Sequence, residues 1–298
     1  MKYLKYVDKK ISRQDVKVFV VTGATNGIGF ALSKQLAYLG ARVIMAVRNL
    51  DKAKQRKEEI LKEVPNANID IYKYDQADFS LINEFVNSIK DLKIDVLVLN
   101  AGIFHPTNNS VTVDGYPLTV GTNYLGAYYL VIKLDSMIKA KKIKRVVVTS
   151  SLVHVFGHTK HYEKYILDVK NKPNRAYNVS KQMNYILAAN IKSKYPDLEV
   201  VLTHPGLART NIIKSDYSSF KTWFKFVGDR FMKIFANSAE KSAISTLIAS
   251  TKEEIGELDF VFPRGLFHCI GYPKIVHRKT NKIKDESLEL ASNKLIGN

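Results

Sequence analysis

The chain is poor in the features that would take it outside the ordinary globular class. Cysteine occurs once, at Cys269, which excludes an internal disulfide and suits a reducing compartment. No apolar run approaches the ~18 uninterrupted residues of a membrane-spanning helix. Met1 to Asp15 is charged throughout and lacks the apolar segment of a secretory signal, so a cytoplasmic protein is expected. Acidic residues are the scarcer sign, 28 against 46 basic ones, leaving a formal charge of +18. Such a surplus can mark a surface for nucleic acid or anionic lipid. Here the lysines are spread along the whole chain among many Asn, Ile and Tyr, so a compositional bias is the simpler cause and no specific nucleic-acid partner is expected. At 298 residues the chain suits one large α/β core. The division expected is a basic N-terminal extension over 1–15 and a single nucleotide-binding domain over 16–298.

What is present is an alternation of β-branched runs and amphipathic segments. Val16 to Thr22 reads as a strand and runs into Gly23-Ala24-Thr25-Asn26-Gly27-Ile28-Gly29, a glycine turn that opens a helix ending at Gly40. Glycines are needed where backbone approaches a pyrophosphate, and the helix N-terminus adds N–H donors and the positive end of a dipole. The spacing is GxxxGxG, which differs from the general GxGxxG fingerprint. Alone it could be a tight strand-to-helix turn; its place after the first strand favours cofactor binding, with Gly23, Asn26, Gly27, Ile28 and Gly29 in contact. Arg42 to Val47 is a second strand, followed by Arg48-Asn49 where an NAD site usually offers an acid to the ribose hydroxyls. No acid lies between Gly40 and Leu50. An arginine there suits a 2′-phosphate, so NADP(H) is the expected cofactor.

Further along, Lys52 to Val64 and Ser80 to Lys90 read as helices. Ile69 to Tyr74 and Asp95 to Leu99 read as strands ending at Asp75 and at Asn100-Ala101-Gly102. Strands alternating with helices imply a doubly wound parallel sheet of the Rossmann type. Asn123 lies in the long apolar-rich stretch from Pro117 to Lys139, where a buried amide demands partners. A fifth strand, Arg145 to Thr149, delivers Ser150 and Ser151, and a sixth, Glu199 to Thr203, ends in His204-Pro205-Gly206. Open α/β sheets bind ligands at these C-terminal strand ends.

Between those two strands lies Tyr177-Asn178-Val179-Ser180-Lys181, with a phenol and an ammonium four residues apart on one helix face. An unperturbed tyrosine titrates near ~10, so about one molecule in a thousand is ionised at neutral pH. A cation about 4 Å away at an effective dielectric near 20 contributes about 4 kcal/mol, enough to lower that pKa by two to three units. In isolation YxxxK is more often a helix aromatic beside a solvated lysine. With polar or glycine residues at four strand ends, an acid/base pair is the better reading.

Taken in order, Thr22-Gly23-xxx-Gly27-x-Gly29, Asn100-Ala101-Gly102, Asn123, Ser150-Ser151, Tyr177-xxx-Lys181 and Pro205-Gly206 resemble the short-chain dehydrogenase/reductase family over roughly Val16 to Thr210. The stretches 43–49 and 114–126 are similar to its retinol dehydrogenase-like and protochlorophyllide reductase-like members. The resemblance implies an oxidoreductase that uses NADP(H) to interconvert a small apolar alcohol and its carbonyl, or to reduce a related double bond. Tyr177 would exchange a proton with the substrate oxygen, while Lys181 lowers the phenol's pKa and bonds the nicotinamide ribose. Ser151, the later serine of the pair, would hold the substrate oxygen. Asn123 would anchor a water chain to Lys181. It further implies Arg48 and Asn49 at the 2′-phosphate, Asp75 at the adenine edge and Asn100, Ala101 and Gly102 at the adenosine ribose. Pro205, Gly206 and Thr210 would flank the nicotinamide. Family members often pair through the helices carrying Asn123 and Tyr177, so a homodimer is compatible with the resemblance. Leu99 and Gln76 depart from the family's common residues. The rival class is a non-catalytic nucleotide-binding protein whose basic surface engages membrane or nucleic acid.

Beyond Thr210, aromatic and basic residues alternate at helical spacing around Trp223 and Phe224. A helical substrate lid is expected over about 211–237, and its 220–235 stretch has the character of a helix that can also rest on a membrane surface. His154, His158 and His161 cluster without a carboxylate or cysteine pattern, so no metal is expected. Ala239 to Ser250 and Asp285 to Ile296 complete the helices, separated by a Gly, Pro and aromatic stretch that closes the sheet.

Overall fold

The structure is a computed structural model, and it describes residues 7, 10–104, 110–206, 237–254, 256–265 and 271–297. Thr210, the expected lid over 211–237 apart from its last residue, with Trp223 and Phe224, and Cys269 lie outside the described residues.

Near-continuous apolar runs form the parallel strands, as strands covered on both faces must be. In chain order they are β1 (Val18–Thr22), β2 (Arg42–Val47), β3 (Asn68–Lys73), β4 (Ile94–Leu99), β5 (Ile143–Thr149), β6 (Glu199–Thr203) and β7 (Leu258–Pro263), followed by β8 (Pro273–Arg278). The sheet order is β3-β2-β1-β4-β5-β6-β7-β8, with only β8 antiparallel to its neighbour. Order reverses beside β1, which opens a crevice between the C-terminal ends of β1 and β4.

Successive strand residues face opposite layers. Val20, Ile44, Leu97, Val146 and Val200 join one buried cluster, and Phe19, Val43, Val98, Val147 and Val201 join the other. The helices are α1 (Gly27–Tyr38), α2 (Leu50–Glu63) and α3 (Phe79–Ile89), then α4, assembled from Leu118–Val120, a π-helical turn Gly121–Leu125 and Gly126–Lys133. After these come α5 (Asp135–Lys139), α6 (Tyr162–Leu167), α7 (Pro173–Lys194), α8 (Ala239–Thr251) and α9 (Glu286–Ile296). Leu32 and Leu36 of α1, Ile60 of α2 and Leu247 of α8 cover one face of the sheet. Phe85 of α3, Tyr124 of α4, Met183 and Leu187 of α7 and Leu288 of α9 cover the other.

The core also takes in part of the stretch read as an N-terminal extension. Val7 and Ile11 are buried, and the Gln14 N–H donates to the Leu39 carbonyl at 2.8 Å. The last helix starts at its cap Asp285 and ends at left-handed Gly297, as the sequence suggested. It is held to α4 by tyrosine hydroxyls: Tyr124 to Ser292 at 2.8 Å and Tyr128 to Asn293 at 2.7 Å.

At the opposite edge from the crevice, buried Arg145 ties three elements together. It bonds the Glu199 carboxylate on β6 at 2.7 Å and the Ser250 carbonyl at the end of α8 at 3.0 Å. Removing it strands a carboxylate and helix C-terminal carbonyls at once, so Arg145→Met should cost about 2 kcal/mol in urea unfolding. A change below about 0.5 kcal/mol would show that the network carries no net stability.

Candidate active site

The seven parallel strands end on one edge, and β1 to β6 each deliver a polar or glycine signal there. At the end of β1, the Thr22 hydroxyl accepts the Asn100 and Ala101 N–H groups at 2.9 and 3.0 Å and donates to the Val98 carbonyl. The Asn100 amide nitrogen returns a bond to the Thr22 carbonyl at 2.9 Å. These bonds press the glycine loop against the end of β4. A Cβ on Gly29 would fall 2.5 Å from the Asn100 amide nitrogen, and Gly23 and Gly27 take φ values of +70° and +50° that side chains rarely adopt.

The loop fits the dinucleotide expected from the sequence. Asn26 precedes α1 without making a side-chain cap, and α1 has no acid in its first turn, so its leading N–H groups and dipole end suit a phosphate. Arg56 of α2, not singled out in the sequence, braces this loop from below: it bonds the Thr25 carbonyl at 3.2 Å and stacks over Phe30 at 4.6 Å.

Next to the loop, Arg48 is largely exposed at the end of β2, with its guanidinium 3.8 Å from the Asp75 carboxylate. Asn49 is engaged locally, its side chain accepting the Lys52 N–H as the cap of α2. Asp75 accepts the Ala77 N–H at 3.0 Å and leaves its second oxygen toward Arg48.

On the far side of the crevice, Asn123 is fully buried in the π turn of α4. Its oxygen accepts the Ile103 N–H at 2.7 Å, and its nitrogen donates to the Ile103 carbonyl at 2.9 Å and to Ser180 Oγ at 3.0 Å. Ser180 donates in turn to the Tyr177 carbonyl, which ties α4 to the helix carrying the Tyr-Lys pair. Ser150 is buried and donates to the Lys181 carbonyl at 2.8 Å, while half-buried Ser151 is the one that reaches the Tyr177 phenol. Ser150 thus holds backbone, whereas Ser151 lies against the phenol.

Lys181 is 6% exposed, and its Nζ makes no hydrogen bond among the described residues. It lies 5.6 Å from the Tyr177 ring centroid and close to Gly102 and Asn123, where a Cβ on Gly102 would be 3.5 Å from Nζ. Burial lowers its pKa to about 8. The lowering expected for Tyr177 is absent. Burial pushes the phenol up to about 12, opposed by the Ser151 hydrogen bond, and the ammonium over its face does not reverse this. Buried Pro205 and half-buried Gly206 follow β6, the Gly206 N–H bonding His204 Nδ1 at 3.2 Å. His154 stacks on Tyr185 with centroids 4.5 Å apart and its Nδ1 is 2.7 Å from the Ser151 carbonyl; His158 and His161 are exposed. Among the described residues no three metal-ligating side chains converge, and no helix is long and apolar enough to cross a membrane.

The doubly wound sheet thus carries a glycine loop and a serine, a tyrosine and a lysine at its C-terminal edge. The family model described as short chain dehydrogenase matches residues 17–165, and the chain belongs to that family. It is 30% identical to human retinol dehydrogenase 11 over 230 residues, covering 76% of this chain and 71% of the relative. It is 29% identical to the chicken WW domain-containing oxidoreductase over 85% of this chain, and spans 63% of that relative's length. A crystal structure of an uncharacterised protein from Mycobacterium paratuberculosis superposes with a TM-score of 0.73 at 26% identity, covering 97% of this chain and 96% of the other. Levodione reductase, at 18% identity and a TM-score of 0.67, shares the fold.

The Lys181 pKa has a consequence for stability. The folded value lies below the ordinary 10.5, so the buried ammonium destabilises the native state below pH 8, and the cost is relieved as pH rises from 8 to 10.5. Relative to Lys181→Met, the natural protein should therefore gain about 2 kcal/mol between pH 7.5 and pH 10 in denaturant unfolding. A pH-independent difference would mean that Lys181 titrates as an exposed lysine.

Proposed function

We propose that this chain is an NADP(H)-dependent oxidoreductase that interconverts an apolar alcohol and its carbonyl, with Tyr177 as the proton donor and acceptor. The observation that carries the reading is the convergence of Tyr177, Lys181, Ser151 and Asn123 on one strand edge around a buried ammonium. The nicotinamide, when bound, supplies or accepts the hydride. The protein's part is to bind, orient and move a proton. Lys181 would hold the ribose hydroxyls, which offer its Nζ the hydrogen-bond acceptors that the described protein residues do not. Ser151 would donate to the substrate oxygen and stabilise charge developing there. At neutral pH a phenol with a pKa of about 12 is protonated in all but about one molecule in 10⁵. Tyr177 is therefore loaded as an acid, which suits carbonyl reduction better than alcohol oxidation.

Two observations support the finer assignments. Arg48 stands exposed at the end of β2 with no acid between Gly40 and Leu50, the chemistry that favours a 2′-phosphate. Asn49 would contribute its remaining amide donors there, and Asp75 would meet the adenine. Relatives named retinol dehydrogenases point to an apolar alcohol or aldehyde as the substrate class. Pairing through α4 and α7 would meet α9, which already lies against α4.

Two substitutions test the reading. Tyr177→Phe should bind NADPH within about threefold of the natural affinity yet lose at least about 10²-fold in kcat for all-trans-retinal reduction. Full turnover by that variant would remove Tyr177 from the proton step. Arg48→Asp should weaken NADPH at least about tenfold more than NADH in fluorescence titrations. An equal loss for both nucleotides would take Arg48 away from the 2′-phosphate.

A further inference from the structure

Asn123 is presented from a π turn, a local widening of the helix that concentrates at functional sites. The Thr122 carbonyl within that turn accepts a hydrogen bond from the side-chain nitrogen of Gln76 at 2.6 Å. The same nitrogen reaches the Ala101 carbonyl at 3.2 Å, and the amide oxygen accepts the Tyr74 hydroxyl at 3.0 Å. Gln76 is 4% exposed, so these bonds form out of contact with bulk water. Two backbone carbonyls can only accept, so the orientation of the amide is fixed by its partners. The contact also involves the backbone. A Cβ on Gly126, just after the π turn, would fall 1.9 Å from the Gln76 carbonyl oxygen. At the other end, a Cβ on Gly121 would fall 2.5 Å from Thr112 Cγ2. The end of β3 is therefore seated against α4 as closely as two chains can approach.

We propose that Gln76 is a positioning residue: its amide clamps Thr122 to Ala101, so that Asn123 is held on Ile103 and Ser180 beside Lys181. One side chain then links the loop expected at the adenosine ribose to the end of the site that handles the proton. The residue type matters in a definite way. Leucine would fill the space but withdraw both donors. Glutamate would keep the bond from Tyr74 and set an acceptor against two carbonyl oxygens. Neither substitution touches the reacting atoms. The catalytic half of this inference rests on the proposed function, whereas the clamp itself stands on the hydrogen bonds.

The test compares Gln76→Leu, Gln76→Glu and Tyr74→Phe in the full chain. Hydrogen exchange of the Ile103 amide, which Asn123 Oδ1 accepts at 2.7 Å, reads the clamp with no substrate present. Measured at equal distances below each variant's Tm, that exchange should quicken at least about tenfold in both Gln76 variants and stay within about twofold in Tyr74→Phe. With NADPH and all-trans-retinal, kcat should fall at least about tenfold in the Gln76 variants while KM moves less than about threefold. Tyr74→Phe should keep near-natural turnover. Unchanged Ile103 exchange in Gln76→Leu overturns the clamp, and Gln76→Leu alone decides if the glutamate variant does not fold. Faster exchange with unchanged kcat, or an equal loss in Tyr74→Phe, overturns the positioning role. If the natural protein reduces no carbonyl, the proposed function fails, and the exchange measurement still decides the clamp.

Discussion

Taking an ammonium out of water is unfavourable, and the site is arranged around holding one at Lys181, whose Nζ meets no hydrogen-bond acceptor among the described residues. Its helix cannot turn to release it. Ser150 bonds the Lys181 carbonyl from the end of β5, and Ser180 links the preceding turn to Asn123 on α4. Gly102 lets the end of β4 come close to Asn123, whose Oδ1 would lie only 3.1 Å from a Cβ at that position. Thr22 in turn fixes the start of that segment by accepting the Asn100 and Ala101 N–H groups. Three strand ends and two helices thus converge on a single cation.

The electrostatics that follow differ from a simple ion-pair picture. A cation near a phenol lowers its pKa only if that attraction exceeds the loss of solvation on burial. Here Tyr177 is pushed up, and the opposing contribution comes from Ser151. Burial pushes the two groups in opposite directions, the phenol toward its neutral form and the lysine toward losing its proton. Both effects favour a site with little net charge before a ligand arrives. A phosphate-bearing ligand with ribose hydroxyls would be attracted to the remaining positive charge and would supply acceptors that the described residues do not.

Much of this was legible in the residues alone. β2 and β6 keep the bounds read from their apolar runs, and the glycine turn and the Tyr-Lys face follow from spacing. What escaped depends on contacts between distant segments. The last two strands read only as a proline- and aromatic-rich closing stretch, because prolines bound them and β7 buries a charged Asp259 against Lys252 and His277. The π turn leaves no pattern in side-chain periodicity, since it is a choice among backbone hydrogen bonds. Gln76 stood out only as an unusual residue after Asp75; its partners are 25 and 46 positions away. The rise of the Tyr177 pKa could not be read from a four-residue spacing, because burial outweighs that neighbour.

The arrangement of the site depends on Lys181 being a buried cation. A side-chain NMR titration of lysine-labelled protein, with the Lys181 resonance assigned by its absence in Lys181→Met, measures this directly. The expected midpoint is about 8 for the protein alone, moving upward when NADPH is added. A midpoint near the ordinary ~10.4 that NADPH leaves unmoved would contradict it.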